Sequence, residues 1–386
     1  MHNSLILAIV IVTALGFDFT NGFHDTANAV APTIATRAMP PRVAVAMSGA
    51  LNLVGAFLSL KVAATIASHI VNPAYVTLPV IFGGLVGAIF WNVTTWFLRV
   101  PSSSSHALIG GVVGAMLVHA GSQAVYWHGI ISLVVAPGIA APIIALVVAG
   151  TALLLARLIL RGTDRRSLDA GTRVGQIGSS ALLSIAHGTN DAQKTMGIIT
   201  LALIANGSLS ASSSTPTWVV IVCGLAIAGG TYVGGWRIIR TMGHGVTHLS
   251  ATQGFSSQIA SSTVILSSSH FGLPLSTTYV ATGSIVGSGL GAPPHLVRWR
   301  LLGRVGTAWI VTLPAAGICG ALAFGLESIF NETAGVFVTG LALIGYCVAV
   351  FARSRRGAVT PDNVNDPWEP RVAGEESLPP LSSEVA

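Results

Sequence analysis

The chain has 386 residues, of which 52% are hydrophobic and only 8% charged, with a net charge of +6. Soluble domains carry about 25% charged residues, so a soluble fold of this length is excluded. An all-α polytopic integral membrane protein is expected, with the lipid bilayer as its surroundings and no nucleic-acid partner.

The first apolar span lies near residues 4–36. Its opening run, Ser4 to Gly16, has no basic flank and no small-residue cleavage site, so it reads as a retained helix rather than a signal peptide. Asp18, Asp25 and Asn28 recur at spacings that place them on one helical face. Gly16, Gly22 and Pro32 interrupt the same span, which predicts a broken helix whose freed backbone groups could coordinate an ion. His24, beside Asp25, has the right chemistry to handle a proton, or equally to make a structural hydrogen bond.

Spans near 43–60 and 77–98 follow, and the run Pro101-Ser-Ser-Ser-Ser-His106 then opens a span near 105–118. Proline and small hydroxyls before an apolar helix mark an N-terminus, where backbone N–H groups, hydroxyls and the positive end of the dipole converge. Such a point binds oxyanions. After a span near 128–157 and a basic linker, the pattern starts again over 174–205. There Gly188-Thr-Asn190-Asp191 repeats the G-x-x-D of Gly22-Phe-His24-Asp25, followed by Gln193 and Lys194. Spans near 217–236 and 250–270 lead to Pro274-Leu-Ser276-Thr277-Thr278-Tyr279, which opens the span 275–290. The two hydroxyl runs agree again further on, at Gly110 with Gly283 and at Gly114 with Gly287. Spans near 305–327 and 333–352 complete the membrane part. Cys223, Cys319 and Cys347 stand singly, without the spacing of a zinc site or a disulfide framework.

These features divide the chain into a first membrane repeat over 1–156, a basic cytoplasmic linker over 157–173, a second repeat over 174–353 and a tail over 354–386. The tail holds six acids and three arginines among few large apolar groups and is expected to be disordered and cytoplasmic. Five spans separate the start of one repeat from the start of the next, an odd number, so the repeats are inverted. The pairs 77–98 with 105–118 and 250–270 with 275–290 could instead be re-entrant hairpins, which leaves the parity unchanged. Arginine clusters at 37–42, 157–173, 237–240, 298–304 and 353–356 all fall on one side if the N-terminus is outside. The protein is thus expected to be multi-pass in the cell membrane with a cytoplasmic C-terminus.

From Met1 to Arg353 there are seven acidic residues, of which Asp18, Asp25, Asp191 and Glu327 lie in apolar stretches. Each costs about 2.5 to 3.5 kcal/mol to insert, so such groups are paired, face a cavity or serve a function. Duplicated sites near the midplane are the anatomy of a secondary transporter. The substrate-binding set read from the sequence is Ser103, Ser104, Ser105, Ser276, Thr277, Thr278, Asn28, Asn190 and Lys194. The cation-coupling set is Asp25, Asp191, His24 and Asp18. An oxyanion beside Asp25 and Asp191 meets like charge in a low dielectric, so sodium on the carboxylates, protons on them or on His24, or a divalent metal bound to the anion must enter with it. If sodium couples, Asp25 and Asp191 are its ligands. Helix capping and interhelical packing are the alternative roles for the hydroxyls and aspartates.

The chain resembles the inorganic phosphate transporter family of the Pit type. The resemblance is carried by N-G-F-H-D-T-A-N-A-V-A-P at 21–32, S-H-A-L-I-G-G at 105–111, A-H-G-T-N-D-A-Q-K-T-M-G at 186–197 and G-L-P-L-S-T-T at 272–278. It extends over about residues 10–350. It implies a helical carrier with inverted repeats that imports phosphate with a cation by alternating access, without a cofactor and without enzymatic activity. The His24 form of the first motif looks like the bacterial branch, for which the resemblance implies proton coupling and acceptance of metal-phosphate complexes. Tyr279 departs from the pattern, standing where histidine is common. Sulfate transport on the same fold and a passive anion channel remain as alternatives, whereas an intramembrane serine hydrolase lacks its G-x-S-x-G elbow. Small-residue helix faces permit a homodimer.

Overall fold

The computed structural model describes residues 2–162, 165–290 and 297–366. Among these the chain is helical, with two isolated bridges, Val71 to Val125 and Thr247 to Val297, as its only extended pairings. The helices are α1 (His2–Ala35), α2 (Pro41–Gly55), α3 (Lys61–His69), α4 (Leu78–Leu98), α5 (Ser104–Ala120), α6 (Trp127–Ile130) and α7 (Ala136–Ile159). They continue with α8 (Arg165–Ala205), α9 (Thr217–Val233), α10 (Trp236–Arg240), α11 (Ala251–His270), α12 (Thr277–Gly289), α13 (Trp299–Glu327) and α14 (Glu332–Ser354).

Five helical stretches among the described residues are long and apolar enough to cross a bilayer, and the bent pair α9–α10 makes a sixth. Helices α7, α13 and α14 turn Ile139, Ile143, Val147, Ile310, Leu322 and Ile344 outward. Such faces suit lipid and would be untenable in water. By contrast α12 is buried along its whole length and α5 from Ser104 to Met116. At 1.5 Å per residue α12 is only about 20 Å long and α5 about 26 Å, short of the ~30 Å hydrocarbon core. They pair with the preceding helices in two hairpins, α4–α5 and α11–α12, of which α4 is itself long enough to cross.

The packing is duplicated and exchanged between halves. Helix α13 lies on α4 and α5, while α7 lies on α11 and α12; likewise α9 packs on α1 and α2 on α8. The paired glycines explain the first exchange. A Cβ at Gly110 or Gly114 would collide with the α13 backbone at Leu313 or Gly317, and one at Gly283 or Gly287 with the α7 backbone at Pro142 or Leu146. Close backbone approach between small residues is what holds helices together where lipid removes the hydrophobic drive.

Two expectations need correction. Helix α1 is not unwound at its glycines: it runs unbroken through Gly16, Gly22 and Pro32. Gly22 is instead small because α9 crosses there, with Ile227 O where a Cβ would sit. Among the described spans the sharp bend falls between α9 and α10, at 60°, while the π-turn Ile131–Val135 sits inside the continuous span Trp127–Ile159. Within the stretch read as a basic linker, 157–173, α7 ends at Ile159 and α8 begins at Arg165, with residues 163 and 164 outside the described part. The start of the tail is ordered too. Val359 and Val364 are buried beside Ile34, Met39 and Met242. Around them Arg42 reaches Asp362, Arg99 donates to Gly357 O, Arg237 to Ser354 O, and His244 Nε2 lies 2.9 Å from Asn365 Oδ1. Two buried valines and these hydrogen bonds supply what composition alone did not promise. The rest of the expected disordered tail, 367–386, lies outside the described residues.

Candidate functional site at the meeting of the two repeats

The duplicated motifs converge. Helices α1 and α8 pack against each other and carry Asp25 and Asp191, and the N-termini of α5 and α12 close over them. Each hydroxyl run begins with a cap: Ser103 Oγ accepts from His106 N at 3.1 Å and Ser276 Oγ from Tyr279 N at 3.3 Å. Ser103 Oγ also lies 2.7 Å from His106 Nδ1. These two hydroxyls therefore face their own helices. The next residue in each run, about 100° round the helix, faces the carboxylates. Ser104 Oγ donates to Asp25 Oδ2 at 2.8 Å, and Thr277 Oγ1 donates to Asp191 Oδ2 at 3.0 Å. Thr278 Oγ1 crosses between halves to Asp25 Oδ1 at 3.2 Å.

The residues three positions after each aspartate also cross over. Asn28 Nδ2 donates to Thr278 Oγ1 at 3.0 Å and to Thr277 Oγ1 at 3.3 Å. Its counterpart Lys194 donates to Ser105 Oγ, to Asp191 Oδ1 and, at 2.9 Å, to Leu275 O. Every one of these side chains is at most 2% exposed, Lys194 included. The centre is sealed from solvent in this arrangement.

Each aspartate has a histidine. His24 Nδ1 lies 2.7 Å from Asp25 Oδ1, and its Nε2 lies 3.2 Å from Thr95 Oγ1 and 3.4 Å from Ser102 Oγ. Asp191 is met by His187, whose Nε2 is 3.1 Å from Oδ2 and whose Nδ1 is 3.2 Å from Asn52 Oδ1. As a proton carrier His187 ranks below His24 on sequence and is absent from the coupling set, although a spacing of four from Asp191 puts both on one face. Asn190, the positional counterpart of His24, turns away instead, donating to Ser269 Oγ at 2.9 Å and Leu273 O at 3.3 Å. Asp18 is buried nearer the start of α1 and makes no hydrogen bond to the centre.

One ligand atom each from Asp25, His187 and Asp191 lies within 4.8 Å of the others. Two carboxylates that close in a buried setting cannot both stay charged without a proton or cation. Lys194 supplies one positive charge, on the Asp191 side only, which leaves Asp25 to be neutralised from elsewhere. Two oxygen donors and one imidazole suit either a proton shared with a histidine or a small cation.

The chain also matches known proteins. The model of the phosphate transporter family matches residues 21–170 and 160–320. A protein of Mycobacterium leprae described as a probable low-affinity inorganic phosphate transporter is 52% identical over 95% of this chain and 89% of its own length. A protein of Rhizobium meliloti with the same description is 42% identical over 83% of this chain and 96% of its own. Among solved structures, one titled the sodium-dependent phosphate transporter shares the fold, with a TM-score of 0.76 and 20% identity over 84% of this chain and all of its own. With a family match across both halves and relatives that share up to half of its residues, the chain belongs to the phosphate transporter family.

Proposed function

We propose that the protein imports inorganic phosphate across the cell membrane by symport with a cation, a proton in preference to sodium, through alternating access of two inverted repeats. The observation that carries this reading is the crossed set of hydroxyls on two aspartates at paired helix N-termini. In the sealed arrangement the Ser104, Thr277 and Thr278 hydroxyls donate to the carboxylates. A proton or cation arriving on Asp25 and Asp191 competes for those acceptors, and the hydroxyls turn to phosphate oxygens. Binding of the anion thereby depends on the cation. Lys194 and Asn28 reach the same hydroxyl runs and help hold the anion. His24, placed between Asp25 and the Thr95–Ser102 pair, favours a proton as the partner at Asp25. The Asp25, His187 and Asp191 trio would also suit the metal of a metal-phosphate complex.

Phosphate fits better than sulfate because its own P–OH can donate to a carboxylate, which sulfate at neutral pH cannot do. The exchanged packing of α7 and α13 supports inverted repeats that rock against one another about the fixed site. The clustering of Arg42, Arg99 and Arg237 round the 354–366 segment supports a cytoplasmic C-terminus.

The hydroxyl assignment is testable residue by residue. Ser104→Ala and Thr277→Val should each raise the half-saturation concentration for phosphate about tenfold or more, the worth of a hydrogen bond to a charged group. Ser103→Ala and Ser276→Ala should leave it unmoved and lower thermal stability by about 1 kcal/mol, as lost caps do. Equal half-saturation in all four variants would assign all the hydroxyls to the fold alone.

A further inference from the structure

Beside the central site lies a cluster of buried polar side chains without hydrogen-bond partners. Asp18 is fully buried and neither carboxylate oxygen has a partner. Asn21, three residues on along α1, is fully buried with both amide atoms unpartnered. Thr195 on α8 is fully buried with its Oγ1 unpartnered. Asn21 and Thr195 are the polar side chains beside the Asp18 carboxylate, yet neither meets hydrogen-bond geometry with it.

A fourth member comes from α4. Phe23 stacks edge-on to Trp96 and His24 meets Thr95, so one turn earlier on the same faces Asn21 comes level with Asn92. The level is set by the parallel course of the two helices, since a single groove is lined by Ala8 to Thr20 of α1 and by Phe82 and Ile89 of α4. Asn92 is likewise fully buried with both amide atoms unpartnered. Asp191 and Lys194 on α8 and Cys223 on α9 are the other titratable groups that face Asp18. Among the described residues none forms an ion pair with it.

Buried polar groups in native proteins are almost always satisfied, and a lone carboxylate in an apolar interior is tolerated only when neutralised. The cluster offers two carboxylate oxygens, two amide carbonyls and a hydroxyl, an all-oxygen donor set of the kind hard cations take. We propose that Asp18, Asn21, Asn92 and Thr195 form a second site for a monovalent cation, separate from the one at Asp25 and Asp191, whose occupant travels with phosphate. Seven residues of helix, about 10 Å, part Asp18 from Asp25, so the two sites are distinct, and Asp191 and Lys194 couple them electrostatically. The inference rests on the symport reading and adds one cation to it. Either a proton on Asp18 or a sodium ion among the oxygens would meet the chemistry.

The test is the number of cations moved per phosphate, read from the membrane potential at which radiolabelled phosphate flux reverses in proteoliposomes, a quantity that does not depend on turnover rate. With wild type, the reversal potential is measured against a proton gradient and against a sodium gradient, which identifies the occupant. Asp18→Asn should lower the ratio by one cation per phosphate, and an unchanged ratio would overturn the proposal. If Asp18→Asn carries no flux, proton uptake and radiolabelled sodium binding by the purified protein replace the flux assay. The variant should then bind one cation fewer than wild type while Asp25→Asn still retains that one, and wild-type binding by Asp18→Asn would overturn the proposal. A wild type that responds to neither gradient would instead defeat the symport reading itself.

Discussion

Asp25→Asn is expected to abolish concentrative phosphate uptake, and Asp191→Asn to do the same, with both proteins still inserted and folded. Asparagine keeps the volume and one acceptor oxygen; because Ser104 and Thr278 donate to different oxygens of Asp25, and Thr277 and Lys194 to different oxygens of Asp191, one hydroxyl at each position turns to accept from the new amide. The charge that brings in the cation is what disappears. Membrane potential contributes about 2.3 kcal/mol per charge per 100 mV, so each coupled charge removed lowers the attainable accumulation about 50-fold at 100 mV. The two variants should fail for different reasons. Asp25 has no lysine beside it and loses the seat of the incoming cation, whereas Asp191→Asn strands the buried ammonium of Lys194. Near-normal accumulation in either variant, measured alongside membrane expression, would remove the carboxylates from the mechanism.

The second large effect is on stability. Lys194 is 1% exposed and its three contacts are Asp191, Ser105 and the carbonyl of Leu275. Lys194→Met leaves Asp191 buried and unpaired, with His187 as its remaining basic neighbour. Breaking a buried pair by removing one partner costs about 3–5 kcal/mol, so the detergent-solubilised variant should melt well below wild type. Adding Asp191→Asn to Lys194→Met should recover most of that loss, because the uncompensated charge is gone. A double variant as unstable as the sum of its two singles would show that the residues do not interact.

Much of the site could be read before any coordinates, because insertion into a membrane makes each polar residue conspicuous. Asp25, Asp191, Ser104, Thr277, Thr278, Asn28 and Lys194 stood out in an apolar background, and the structure joins them through hydrogen bonds between the halves. The paired glycines were legible as a pattern, though their reason needed α7 and α13 in place. Other details depend on helical phase or on distant neighbours. Within four consecutive serines nothing but rotation about the α5 axis separates the cap Ser103 from the site-facing Ser104. Gly22 could equally have marked a break or a crossing, and the position of α9, two hundred residues away in the chain, decides for a crossing. The docked segment 355–366 was illegible for a similar reason, since its partners come from Arg42, Arg99, Arg237 and His244 on separate elements.

The most direct test of cation-coupled phosphate transport is radiolabelled phosphate uptake into proteoliposomes, with proton and sodium gradients imposed separately and excess sulfate as competitor. The expected result is accumulation above equilibrium driven by the proton gradient and unaffected by sulfate. Phosphate that merely equilibrates under both gradients would contradict the account.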